Sequence, residues 1–166
     1  MPEYNLEVNK NDQIIGKRPR KDFYTGQYIH RASHLILFNS KNQILLQKRV
    51  KTKKWFPNLY TFSVAATVSE ESYKDCLKRE IPEEIGISIP IKFLFKYPFF
   101  DKTDKAFHAV FISKSDKKIK PDKREISEII WLTPQKLKQD LKANPKKYTP
   151  PFRKGMEIFF TQYYKK

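Results

Sequence analysis

Along the first two thirds of the chain, apolar residues come in short runs separated by polar turns. Near the end they recur at helical spacing. Leu6, Val8, Ile14 and Ile15 flank Asn9-Lys10-Asn11-Asp12, which predicts a hairpin over Tyr4–Gly16 within an N-terminal extension, residues 1–29. The run Leu35-Ile36-Leu37-Phe38 predicts a strand over Ala32–Asn39, and Ser40-Lys41-Asn42 turns it into a second strand, Gln43–Arg49. A basic loop, Val50–Lys54, and an aromatic segment, Trp55–Phe62, follow. Ser63–Val68 reads as a small-residue strand or loop. Thr67 or Ser69 is placed to cap a helix from about Glu70 to Ile85, with Gly86 as its natural stop. Ile91–Phe100 and Ala106–Ser113 read as strands, and Ile126–Leu132 as another apolar stretch. Thr133-Pro134 opens a short helix to about Lys142. A last helix starts after Pro150-Pro151 and carries Phe152, Met156, Phe159 and Phe160 at helical spacing. Hairpin-like neighbours with interspersed helices predict one α/β domain, a mixed sheet packed between helices.

Composition narrows the function classes. The length, 166 residues, is one domain's worth. The single cysteine, Cys76, allows no internal disulfide and fits a reducing compartment, so cytoplasmic is the expectation. The first residues, Met1-Pro2-Glu3-Tyr4-Asn5-Leu6, lack the basic start and apolar run expected of a signal peptide, and no apolar run reaches membrane-spanning length. The net charge of +16 attracts polyanions, from phosphorylated metabolites to RNA. Because the lysines are scattered, a solvated surface is favoured over a dedicated nucleic-acid patch. With only four glycines, a Gly-rich phosphate loop is excluded.

The chemistry concentrates on the helix after residue 70. Glu80, Glu83 and Glu84 stand at i, i+3 and i+4, on one helical face. Like charges so placed repel, and a hard cation turns that repulsion into binding. The bland alternative is a solvated acidic face. Arg79 lies four residues before Glu83 and can orient it, and Glu71 sits about two turns upstream. Pro82 removes a helix hydrogen bond, and a kink there would shift Glu80 relative to Glu83 and Glu84.

The wider pattern Ala65, Glu71, Arg79-Glu80-Ile81, Glu83-Glu84, Gly86-Ile87 resembles the Nudix box of residues 65–87, with Ala65 in place of its first glycine. The resemblance implies an α/β/α sandwich that cleaves diphosphate linkages in nucleoside diphosphate derivatives or similar metabolites. It implies Mg²⁺ (Mn²⁺ as a substitute) on Glu80, Glu83 and Glu84, with the Ala65 carbonyl as a further ligand. His30-Arg31-Ala32-Ser33, Lys53-Lys54-Trp55-Phe56-Pro57 and Tyr148-Thr149-Pro150-Pro151-Phe152 also look like isopentenyl-diphosphate isomerase and a hydrolase subgroup related to it. Where the isomerase carries its catalytic cysteine and a metal-binding histidine, this chain has Ala65 and Thr67, and its catalytic glutamate falls near Ala106. Hydrolase is therefore the preferred reading. The isomerase and a non-catalytic nucleotide- or RNA-binding module are the rivals.

Within the preferred reading Glu83 is the first choice of general base, ahead of Glu84 and the loop acids Asp101, Asp104, Glu125 and Glu128. By resemblance Arg49 and Lys53 clamp the diphosphate, and Trp55 contacts the ligand. Phe56 and Tyr60 are expected in the core, His34 and His108 as packed or hydrogen-bonded sheet residues, and Cys76 as a small hydrophobe. The expected partner is a small diphosphate substrate, with no membrane, and the chain is read as a monomer or homodimer.

Overall fold

A computed structural model describes residues 3–164. Among them nine strands share one mixed sheet, and three α-helices cover its two faces. The chain enters as a hairpin of β1 (Tyr4–Val8) and β2 (Ile14–Pro19). A 3-10 turn, Arg20–Thr25, leads to β3 (Ile29–Phe38). β3 runs parallel to β8 (Lys105–Lys114) along its whole length, from Ile29↔Lys105 to Phe38↔Lys114. Its other edge is shared among three strands. Val8 pairs with Ile29, β6 (Val64–Thr67) pairs over Ala32–Leu35, and β4 (Ile44–Arg49) meets β3 only at Phe38↔Ile44. β4 then diverges, taking β5 (Tyr60–Thr61) and β9 (Ile126–Leu132) as partners, while β7 (Lys92–Phe100) pairs antiparallel with β8. Ser63 fills the fork: its Oγ donates to the Leu45 carbonyl at 2.6 Å and accepts from the Leu37 amide at 2.9 Å.

The continuous apolar run in β3 is explained by burial on both faces. Leu35 and Leu37 face one core, Ile36 and Phe38 the other. In the first core Leu77, Ile81 and Ile85 of α1 (Tyr73–Ile85), four residues apart, seat that helix on Leu35, Leu37 and Leu45. Each such buried side chain contributes about 2 kcal/mol. In the second, α2 (Pro134–Ala143) supplies Leu137, and α3 (Pro150–Ile158) supplies Phe152 and Met156. Phe159 extends that stripe from the π-helical turn Phe159–Tyr163. Gly155 lets α3 lie close, since a Cβ there would stand 2.7 Å from Tyr97 Oη and 2.8 Å from Phe62 Cζ.

Several boundaries differ from expectation. α1 starts at Tyr73, not Glu70, capped by Ser72, whose hydroxyl accepts from the Asp75 amide at 3.0 Å. Thr67 is committed to β6 opposite Ala32, and the Ser69 hydroxyl donates to Glu71. Glu71 thus precedes the helix. The helix runs unbroken through Pro82, and Gly86 ends it as expected, in the left-handed region at φ 72°, its N–H donating to the Pro82 carbonyl. Phe56 is half-buried at φ 52°, outside the core, whereas Tyr60 is buried as expected. Cys76 is fully buried beside Ala66 and Val68.

Candidate active site

The seating of α1 sorts its carboxylates. Glu84 follows Ile81 by three residues and Leu77 by seven, so the packed face carries it down to the sheet, where it is 7% exposed. Gln47 of β4 meets it there, its Nε2 donating to Glu84 Oε1 at 2.9 Å and to the Ser63 carbonyl at 3.1 Å. Burial pushes the Glu84 carboxyl up to about 8, against the hydrogen bond from Gln47, and the nearby Glu80 charge pushes the same way.

Glu80 and Glu83 stay nearer the surface, gathered by Arg79. Its Nη1 donates to Glu80 Oε1 at 2.6 Å and stands 3.6 Å from Glu83 Oε2. Its Nη2 and Nε reach back to both oxygens of Glu71, at 2.6 and 3.2 Å. The hydrogen bonds to Glu71 are the main reason the guanidinium is held more firmly protonated than usual, and they hold Glu71 below the ordinary carboxylate range. One guanidinium thus serves three carboxylates, with a fourth, Glu84, beside them.

Facing this ridge are the cations of the β4 end. Arg49 is half-buried, its Nε donating to the Trp55 carbonyl at 2.9 Å, and Lys53 is ion-paired with Glu125. Burial lowers the basicity of both, opposed by the charge of Glu84. Arg20 lies close enough to both to lower them further. Trp55 stacks flat on His30, with centroids 5.0 Å apart and planes 6° apart, and donates from Nε1 to the Thr103 carbonyl at 3.1 Å. His34 and His108 are buried and hydrogen-bonded to each other, Nε2 to Nδ1, at 2.8 Å.

The other candidate acids each have partners, Lys53 being that of Glu125. Asp104 is buried against His30 Nε2 at 2.7 Å, Asp101 accepts from the amides of Thr103 and Asp104, and Glu128 accepts from the Tyr60 hydroxyl. Glu83, 59% exposed at its side chain, is the most open carboxylate of the ridge.

With these pairings, no three Asp, Glu, His or Cys side chains among the described residues stand at metal-ligating spacing. The donors nevertheless suit a hard divalent cation. They are carboxylate oxygens on one helical face, in excess of their own cation, and one is buried at a cost in charge that a cation relieves.

Three contributors were not read from sequence. Gln47 is a lone polar side chain closing the apolar run Ile44-Leu45-Leu46, and that break in pattern was its only signal. Arg20 sits in the basic run Lys17-Arg18-Pro19-Arg20-Lys21, which did not distinguish it from scattered charge. The His30–Asp104 pair joins residues far apart in the chain and left no local trace.

The NUDIX domain family model matches residues 28–152. The chain belongs to the Nudix family, with a mixed α/β fold. It is a Nudix hydrolase of diphosphate linkages. It is 44% identical over 160 residues to a prenyl-diphosphate phosphatase of Methanosarcina mazei, covering 94% of each chain. It is 26% identical to the uncharacterized Nudix hydrolase YfcD of Escherichia coli K12, over 92% of this chain and 83% of that one. The crystal structure of DR0079 from Deinococcus radiodurans superposes with a TM-score of 0.80 at 25% identity, covering 93% of this chain and 98% of that one. The isomerase-like subgroup is corrected by these relatives, which are named as a phosphatase and a hydrolase. Among the described residues no helix is long and apolar enough to cross a membrane.

Proposed function

We propose that the chain hydrolyses the diphosphate of a small organic alcohol, a prenyl diphosphate first among them, using a divalent cation, Mg²⁺ or Mn²⁺, held by Glu80, Glu83 and Glu84. The observation that carries this reading is the acidic ridge itself, three carboxylates gathered around Arg79 with Glu84 buried beside them, opposed by Arg49 and Lys53. The name of the M. mazei relative directs it toward prenyl diphosphates, ahead of the nucleoside diphosphate derivatives that the box alone leaves open. A bound divalent cation supplies charge neutralisation on the phosphate oxygens and acidifies a water.

The chain's own groups supply the rest. Arg49 and Lys53 bind non-bridging phosphate oxygens, Lys53 exchanging Glu125 for the substrate. Arg79 is a positioning residue that fixes Glu80 and Glu83. Glu83 takes the proton of the attacking water as its oxygen bonds to phosphorus and the bond to the leaving oxygen breaks. Trp55 covers the organic portion. A small diphosphate in the cytoplasm, not a nucleic acid, is the partner this reading assigns.

The test is phosphate release from isopentenyl, dimethylallyl and geranylgeranyl diphosphates and from a nucleoside diphosphate sugar, with Mg²⁺, beside Glu83→Gln and Glu84→Gln. Release from a prenyl diphosphate that both variants lose supports the reading. Isomerisation of isopentenyl diphosphate without phosphate release, or undiminished turnover in both variants, overturns it.

A further inference from the structure

The face that β4 turns toward α1 changes character after one residue. Leu45 joins Leu77, Ile81 and Ile85 in the core beneath the helix, while Ile44 and Leu46 face the opposite core. Two residues after Leu45 the same face carries Gln47, 3% exposed, where it meets Glu84. Burying an amide beside a carboxylate costs free energy that their hydrogen bonds must offset. Packing alone would be served by another apolar residue at this position.

The hydrogen bonds fix which way the amide points. Gln47 Nε2 donates to Glu84 Oε1 at 2.9 Å and to the Ser63 carbonyl at 3.1 Å, so both of its N–H groups are engaged. Turning the amide over would set its own oxygen against those two oxygens. Ser63 is itself held, its N–H donating to the Leu35 carbonyl at 2.9 Å and its Oγ to the Leu45 carbonyl at 2.6 Å. The strand fork thus fixes Ser63, Ser63 fixes Gln47, and Gln47 fixes one oxygen of Glu84. Among the described residues no other N–H donates to this carboxylate, and Oε2 stays available to a ligand.

The donor is also neutral. Arg79 pairs with Glu71, Glu80 and Glu83, whereas among the described residues no guanidinium or ammonium is ion-paired with Glu84. A basic side chain in place of Gln47 would cancel the carboxylate's charge and compete with a cation, and an acidic one would repel it. An amide orients the carboxylate and leaves its charge unspent. We infer that Gln47 is the positioning residue that presents Glu84 to the divalent cation, holding one carboxylate oxygen by a neutral hydrogen bond so that the charge remains for the metal. The inference rests on the proposed assignment of the cation to Glu80, Glu83 and Glu84.

The experiment measures Mn²⁺ affinity by electron paramagnetic resonance in Gln47→Met and Gln47→Lys beside the wild type, with folding of each checked by its metal-free thermal transition. Gln47→Met keeps an unbranched side chain and removes both N–H donors. It is expected to weaken Mn²⁺ binding about ten- to hundredfold. Gln47→Lys offers Glu84 a donor that carries charge, so a purely structural hydrogen bond would be kept. Mn²⁺ binding is nevertheless expected to weaken at least about tenfold. Wild-type Mn²⁺ affinity in either folded variant overturns the inference. Its failure is distinguishable from that of the cation assignment. Undiminished Mn²⁺ binding by the combined Glu80→Gln, Glu83→Gln, Glu84→Gln variant would overturn both. Loss of Mn²⁺ from that variant, with wild-type affinity in the Gln47 variants, would overturn the role of Gln47 alone.

Discussion

Two ion clusters border α1, and they are built with opposite balance. At the start of the helix the buried Asp12 carboxylate accepts from Arg31 Nε at 2.7 Å, Lys96 Nζ at 2.6 Å and the Tyr73 hydroxyl at 2.8 Å. Burial opposes its ionisation, yet hydrogen bonds from Lys96, Arg31 and Tyr73 hold it below the ordinary carboxylate value. Along the other edge a single guanidinium, Arg79, faces Glu71, Glu80 and Glu83, with Glu84 buried nearby. The first cluster has more cations than anions and ties the hairpin turn to β3, β7 and α1. The second has more anions than cations and ties down little beyond its own ridge. A closed, buried network serves stability, and an open one with surplus charge is poised for a ligand.

The contrast is testable by breaking each cluster in turn. Glu83→Gln and Glu84→Gln are expected to lower kcat/KM by at least about a hundredfold, about 2.7 kcal/mol, with little change in thermal midpoint. A collapse in midpoint instead would make the ridge a stability element. Asp12→Ala leaves two cations without their anion and is expected to cost about 3 kcal/mol in denaturant unfolding, with activity per folded molecule retained. Mg²⁺ at about a hundredfold excess over its Kd should stabilise the folded chain by about 2.7 kcal/mol, and Glu84→Gln should abolish that gain in a thermal scan.

The histidine pair acts only in acid, outside the neutral range. Both rings have pKa values lowered by burial, so the unfolded chain takes up protons that the folded one refuses. Their contribution is intact above the ordinary histidine value, 6.5, and is lost as pH falls from there toward about 3, at up to about 1.4 kcal/mol per unit for one ring. His108→Phe should flatten that part of the stability profile.

What sequence made legible follows the range of the interactions involved. The strand at Leu35-Ile36-Leu37-Phe38, the proline-led helix at Thr133-Pro134 and the Gly86 stop are local signals, and each appears in the structure, whereas the last helix begins at Pro150 and not after Pro150-Pro151. The start of α1 was misplaced because Thr67 and Ser72 both have capping chemistry, and only the long-range pairing of Thr67 with Ala32 decides between them. The same limit hides Gln47 beside Glu84 and Asp104 beside His30, contacts that exist only once β4, α1, β3 and the turn before β8 are assembled. Spacing put Glu80, Glu83 and Glu84 on one helical face, but it did not show that Glu84 would be buried while Glu83 stays open.

Whether that ridge gathers a cation is most directly measured by titrating Mn²⁺ into the protein and counting the bound ion by electron paramagnetic resonance, beside the combined variant Glu80→Gln, Glu83→Gln, Glu84→Gln. The expected result is bound Mn²⁺ in the wild type, displaced by Mg²⁺ and absent from the variant. Equal binding by a folded variant would place the metal elsewhere and contradict the assignment.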